Sequence, residues 1–144
     1  MDTPSNDDIE RISESACLAL LREKVIGRFA VATTDGTVDI FPVNYVVDQG
    51  TILFRTAAGS KIDAITGRPA SAAFEVDHFD WYERTAWSVV VKGEAVVLTG
   101  HGELFDLFDV EVIPWHPAPK PFFVRIVPES ITGRRFHVTP TRQP

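Results

Sequence analysis

Hydrophobic positions along the chain change period, and each change marks a change of element. Between residues 6 and 24, Ile9, Ile12, Ala16 and Leu20 recur at helical spacing, which predicts one amphipathic helix. Asp7, Asp8 and Glu10 occupy its first turn and Arg22 and Lys24 its last, matching the helix dipole at both ends. From Ile26 onward the pattern is that of strands. Residues 26–34 read as a strand, Asp35-Gly36 as a hairpin turn, and residues 38–47 as a second strand. Pro42 lies inside that second strand and cannot donate to a ladder, so a bulge or a sheet edge is predicted there. Asp48-Gln49-Gly50 turns the chain into a third strand, residues 51–56. Residues 60–65 predict a short helix, with Ser60 as its cap and Asp63 completing a partial capping box. After the turn at Gly67-Arg68-Pro69, residues 70–77 and 85–99 form further strands, the longer one bent at Gly93. Residues 101–109 predict a short helix and 112–121 a proline-bearing loop; residues 122–127 and 130–136 are the closing strands. Six or seven strands with short turns point to a mainly β fold, a closed or nearly closed antiparallel barrel.

Composition narrows the class. The 144 residues fit one domain, spanning 1–144 with polar tails at about 1–5 and 138–144. A net charge of −6 argues against a nucleic-acid partner, which wants a basic face. No apolar run reaches membrane-spanning length, and the acidic N-terminal residues are unlike a secretory signal. Cys17 is the only cysteine, so an internal disulfide is excluded and a reducing cytoplasm is expected. Its neighbours Leu18, Leu20 and Leu21 suggest a packed core thiol. The four histidines, at 78, 101, 116 and 137, match no zinc spacing, so no metal is expected. Residues 96–102 imitate the start of a dinucleotide fingerprint, but Phe105 stands where the third glycine belongs. No catalytic nucleophile with its base is present; Tyr45, Lys92 and His116 are the conceivable proton donors, and each suits a structural role better. Phe79, Trp81, Tyr82 and Trp87 fit a core, an interface or a wall for a flat ring.

One segment departs from the acidic background. Phe54-Arg55-Thr56-Ala57-Ala58-Gly59-Ser60-Lys61 places two cations, two hydroxyls and a glycine where a strand becomes a helix. Free N–H groups at a helix start attract anions, Arg55 offers a planar fork for phosphate oxygens, and Lys61 adds a point charge. Solvated surface cations are the plain alternative. It is not a Walker A loop, because the earlier glycine of that motif is missing.

Four stretches in order resemble the FMN-binding split-barrel proteins related to pyridoxamine 5′-phosphate oxidase. They are residues 17–31, Phe41-Pro42-Val43-Asn44-Tyr45, residues 53–61, and Trp87-Ser88-Val89-Val90-Val91-Lys92-Gly93-Glu94 followed distally by Ile131-Thr132-Gly133-Arg134-Arg135. The resemblance implies a split β-barrel and a homodimer with FMN in clefts between subunits. It implies that Arg55, Thr56, Ser60 and Lys61 grip the FMN phosphate. It also implies that Pro42, Val43 and Asn44 pass the ring's polar edge, and that Trp87 and Ser88 lie on a flavin-contacting strand. The cations that the oxidase itself carries on its second-strand segment are absent from residues 40–45, so vitamin B6 oxidation is not implied. The expectation is a cytoplasmic FMN-dependent oxidoreductase acting on a small organic substrate. A deazaflavin coenzyme in place of FMN, a flavin- or haem-binding module without turnover, and a barrel with no cofactor are the alternatives.

Overall fold

Ser13 decides where the first helix begins. In the computed structural model, which describes residues 9–57, 59–98 and 122–138, its side chain accepts the Ala16 N–H at 3.3 Å. Helix α1 then runs Glu14–Glu23. The expected helix from residue 6 is therefore shorter, and Ile9–Ile12 forms strand β1 instead. A spacing of three puts Ile9 and Ile12 on one face of a helix and on opposite faces of a strand, so local period favours the helix. The open edge of the last strand decides the matter: Ile9 pairs Phe136 and Ile12 pairs Gly133.

The other elements are β2 (Ile26–Ala32), β3 (Val38–Asp48), β4 (Thr51–Thr56), α2 (Ser60–Ile65), β5 (Ala70–Asp80), β6 (Thr85–Leu98) and β7 (Phe122–His137). Strand order is β1-β7-β4-β3-β2-β5-β6, and β6 returns to β7. The six strands β2–β7 thus close an antiparallel barrel, with β1 as an extra strand, and the mainly β reading holds. The β2–β3 turn is longer than Asp35-Gly36 alone. The Asp35 carboxylate accepts the hydroxyls of Thr33 and Thr37 and the Thr37 N–H, which holds its carboxyl down at about 2.

The two strands expected at 122–127 and 130–136 are one strand of 16 residues. Pro128 does not break it because a bulge absorbs it. Gly93 pairs Pro128 while Lys92 pairs Ser130, leaving Glu129 as the extra residue. A Cβ on Gly93 would collide with the Val127 carbonyl oxygen. The bend expected at Gly93 is this close crossing. The expected helix at 101–109, the loop at 112–121 and residues 139–144 lie outside the described residues.

Inward side chains alternate along the strands and fill the barrel with Phe29, Phe54, Phe74, Ile52, Val89 and Ile126. Each such burial stabilises by about 1.5–3 kcal/mol. Helix α1 packs on this core through Cys17, Leu20 and Leu21. Cys17 is the core thiol its neighbours suggested, and burial pushes its pKa up. Tyr45 ties helix to barrel: its hydroxyl donates to the Leu21 carbonyl, and its ring meets Phe74 edge-on at 4.8 Å. Among the described residues, no helix is long and apolar enough to cross a membrane.

Candidate functional site

The hairpin of β3 and β4 is zipped only near its turn. The ladder runs from Asp48–Thr51 to Tyr45–Phe54 and stops. Beyond that rung β4 continues along β7, and β3 continues along β2. The two strands part, and their lips carry Asn44, Val43 and Pro42 on one side and Arg55 and Thr56 on the other. Five of the nine residues implied for the cofactor therefore flank one split.

Pro42 resolves as an edge residue rather than a bulge, because the β2–β3 register passes through Arg28–Pro42 without a shift. The Tyr45 N–H donates to the Val25 carbonyl at 3.2 Å. Backbone groups alternate sides along a strand, so the Pro42 nitrogen faces the split, beyond the last β4 rung. A residue without an N–H loses no ladder bond there.

Both lips divide inward from outward. Val43 and Thr56 point into the barrel, 6% and 2% exposed, so either would meet a ligand through its backbone. The Thr56 hydroxyl donates to the Ala57 carbonyl at 3.3 Å. Arg55 points outward, its guanidinium 5.1 Å from the Phe123 ring centroid. The expected Ser60 cap is corrected. Gly59 is the N-cap of α2, without a side-chain cap bond, and Ser60 is the first helical residue. Gly59 sits at φ 154° and ψ −168°, a conformation essentially reserved for glycine. Nothing lies within 4 Å of where its Cβ would be. A bare backbone corner, an arginine four residues before it and the start of a helix suit a phosphate group.

Trp87 and Ser88 do not join this set within one chain. They lie on β6, separated from β4 by β7 and from β3 by β2 and β5. Trp87 is 7% exposed with its ring near His78, centroids 6.2 Å apart, so it is a core residue. Ser88 sits between Asp77 on β5 and Arg134 on β7. Of the other aromatic residues weighed, Trp81 and Tyr82 are exposed at the β5–β6 turn. Of the conceivable donors, Tyr45 is occupied structurally and burial raises its pKa. Lys92 is exposed on β6, and His116 lies outside the described residues.

Sequence reasoning missed a charged cluster beside Ser88. Arg28 Nη1 lies 3.3 Å from Glu75 and 3.4 Å from Asp77. Glu75 is nevertheless pushed up to about 7, by burial first and then by the hydrogen bond and charge of Asp77, against the pull of Arg28. One cation shared by two carboxylates leaves one of them easy to protonate. The i, i+2 spacing of the two acids was visible in the sequence; the cross-strand register that sets Arg28 against them was not. Among the described residues, no group of three His, Cys, Asp or Glu side chains could hold a metal ion.

Comparison with known proteins adds an independent line. A family model described as pyridoxamine 5′-phosphate oxidase matches residues 13–135. A crystal structure from Corynebacterium glutamicum ATCC 13032, of a protein named after that oxidase, is 36% identical with a TM-score of 0.80, over 98% of this chain and 99% of that one. An FAD-binding protein from Mycobacterium smegmatis is 36% identical with a TM-score of 0.73, over 89% of this chain and 98% of that one. A Mycobacterium tuberculosis protein is 38% identical over 95 residues, 66% of this chain and 84% of the relative.

Proposed function

Because the chain belongs to the pyridoxamine 5′-phosphate oxidase family, we propose that it is a cytoplasmic FMN-binding oxidoreductase acting on a small organic substrate. The observation that carries the proposal is the β3–β4 split, whose lips hold Arg55 and the bare corner at Gly59 in an acidic chain. Arg55 and Lys61 would hold the phosphate by charge-assisted hydrogen bonds, the stronger kind. Ser60 and the Thr56 backbone would complete that grip. The backbone of Pro42, Val43 and Asn44 would run beside the polar edge of the ring. Ser88 would contact the flavin from a second copy of the chain, since β6 is remote from the split within one copy. Trp87 would support that strand from the core. Bound flavin would supply the electron-transfer chemistry, while the chain binds, orients and shields it. A reducing compartment suits the lone Cys17 thiol.

A second reading keeps the fold and changes the ligand to FAD, favoured by the FAD-binding M. smegmatis protein at 36% identity. The test is the visible spectrum of the purified protein and the mass of any released chromophore. Oxidised-flavin bands with the mass of FMN are expected. The mass of FAD selects the second reading, and a deazaflavin mass replaces both. A colourless protein that ignores all three added cofactors overturns the proposal. Flavin-loaded protein that, once chemically reduced, passes electrons to no acceptor in a broad panel is a binding module instead.

A further inference from the structure

The face of the barrel that carries Pro42 and Asn44 also carries Ser88, and a charged cluster fills the strands between them. Phe29, Phe74, Val76, Trp87 and Val89 are buried, so Arg28, Glu75, Asp77 and Ser88, which alternate with them, face outward. Register sets them in order. Pro42 on β3 opposes Arg28 on β2, and Arg28 opposes Glu75 on β5. Asp77 opposes Ser88 on β6. Neighbouring strands stand about 4.8 Å apart. Arg28 is thus one strand from a proposed ring contact, and Asp77 is one strand from another. Glu75 is joined to both: Arg28 Nη1 lies 3.3 Å from its carboxyl, and the Asp77 side chain hydrogen-bonds it. Whichever copy of the chain supplies each contact, the cluster borders the ring.

The cluster is one charge out of balance. Arg28 offsets one carboxylate, so the second leaves a net negative charge that a single shared proton cancels. Around Glu75, β3 and β6 present Pro42, Asn44 and Val90, none of them charged. Lys92 stands one row away, with Ala73 and Ala30 between it and Ile40, and Arg134 lies beyond Ser88 on β7. Lys24 is engaged 3.1 Å from His78, which the alternation of β5 turns to the other face. We propose that Glu75 is the proton-holding residue of the flavin site, taking up a proton when the bound ring gains electrons and releasing it when the ring loses them. This rests on the flavin reading above and adds the residue of this chain that answers the ring's charge. A flavin given two electrons and one proton carries one negative charge, which a shielded cleft must offset. The proton taken by Glu75 offsets it, so two electrons and two protons enter the site together. Dithionite supplies the electrons in the test below.

The test is a carboxyl NMR titration of the full chain without cofactor, with oxidised FMN, and with FMN reduced anaerobically by dithionite. The Glu75 signal, assigned by its loss in Glu75→Gln, should have its midpoint near 7 without cofactor. Reduction should raise that midpoint by about one unit relative to the oxidised form, a tenfold coupling across one or two strand spacings. Coupling is reciprocal, so the reduction potential must carry it too. Glu75→Gln keeps the shape and stays uncharged. Its potential should match wild type at about pH 5 and exceed it by about 30 mV at about pH 9. The flavin's own titrations cancel in that difference, and a merely structural Glu75 would leave it the same at every pH. A cofactor-free midpoint near the ordinary 4.5 overturns the inference. So does a midpoint that reduction does not move, or a variant potential parallel to wild type. Each of these results in protein that holds flavin spares the cofactor reading. Protein that takes up no flavin, evident from the absorbance of the same sample, sinks both.

Discussion

Two of the barrel's six seams, β6–β7 and β3–β4, differ most usefully in how they end, one paired along the whole of β6 and the other parting into two lips. Along β6 all 14 residues pair with β7, from Thr85–His137 to Leu98–Phe123. Between β3 and β4 only Tyr45–Asp48 are paired before the strands part. Every rung of the long seam constrains the ring, and its one irregularity is the bulge at Gly93. The short seam leaves backbone and side chains on two lips, and two of the four implied phosphate ligands, Arg55 and Thr56, lie on one of them. A ligand site needs polar groups not already committed to the fold. A closed barrel can offer them only where a ladder ends.

The largest effect should come from stiffening the long seam at its closest point. Gly93→Val puts a side chain into the Val127 carbonyl, and backbone cannot move aside as a side chain can. A loss of about 3 kcal/mol or more is expected, since overpacking alone costs 1–3. Thermal melting measures it, and a wild-type midpoint would show the long seam to be looser than drawn. At the short seam, Arg55→Ala combined with Lys61→Ala should leave the unliganded melting point nearly unchanged. It should weaken FMN affinity about 150-fold or more, taking about 1.5–3 kcal/mol for each of two charged hydrogen bonds. Fluorescence titration reads this directly; unchanged affinity removes the phosphate assignment.

Tyr45 stands on the last rung of the short seam and tests whether α1 braces it. Tyr45→Phe removes the hydroxyl that donates to Leu21 and should cost about 1 kcal/mol. The check is a lower urea midpoint at unchanged slope. The smallest effect lies between the seams. With Glu75 raised from 4.5 to about 7, the folded chain holds that proton more tightly than the unfolded one. Its stabilisation is complete below pH 4.5 and fades as pH rises through about 7. A carboxyl NMR titration should show a midpoint near 7 for Glu75. Asp77→Asn should move it down, because a like charge is lost and the amide N–H can donate to the ionised Glu75 carboxylate.

Much of the architecture was legible from local pattern. Alternating apolar residues marked β2 through β6 to within a few positions, and Pro42 announced a bulge or an edge, of which the structure has the edge. Pro128 misled: read alone it ends a strand, yet the bulge opposite Gly93 carries the strand past it. Ile9 and Ile12 misled as well, because their spacing of three marks one helical face, and only pairing with the edge of β7 draws the segment into the sheet. At the candidate site, the Arg55–Lys61 segment stood out by charge. Its cap was misassigned because Ser60 has the usual chemistry, whereas Gly59 has the backbone freedom that the corner requires. Trp87 showed its size but not its direction, since inward or outward depends on register.

By itself the sequence determined strands β2 through β6, a helix ending near Lys24, the lone core thiol and the placement of two cations at a strand-to-helix corner. These follow from side-chain period, capping and charge, which act over a few residues. Only the tertiary structure decided that β3 and β4 part after Tyr45, that Arg28 serves two carboxylates, and that two alanines lie between Ile40 and Lys92. Those are matters of cross-strand register between segments far apart in the chain, and register is set by how the whole barrel closes.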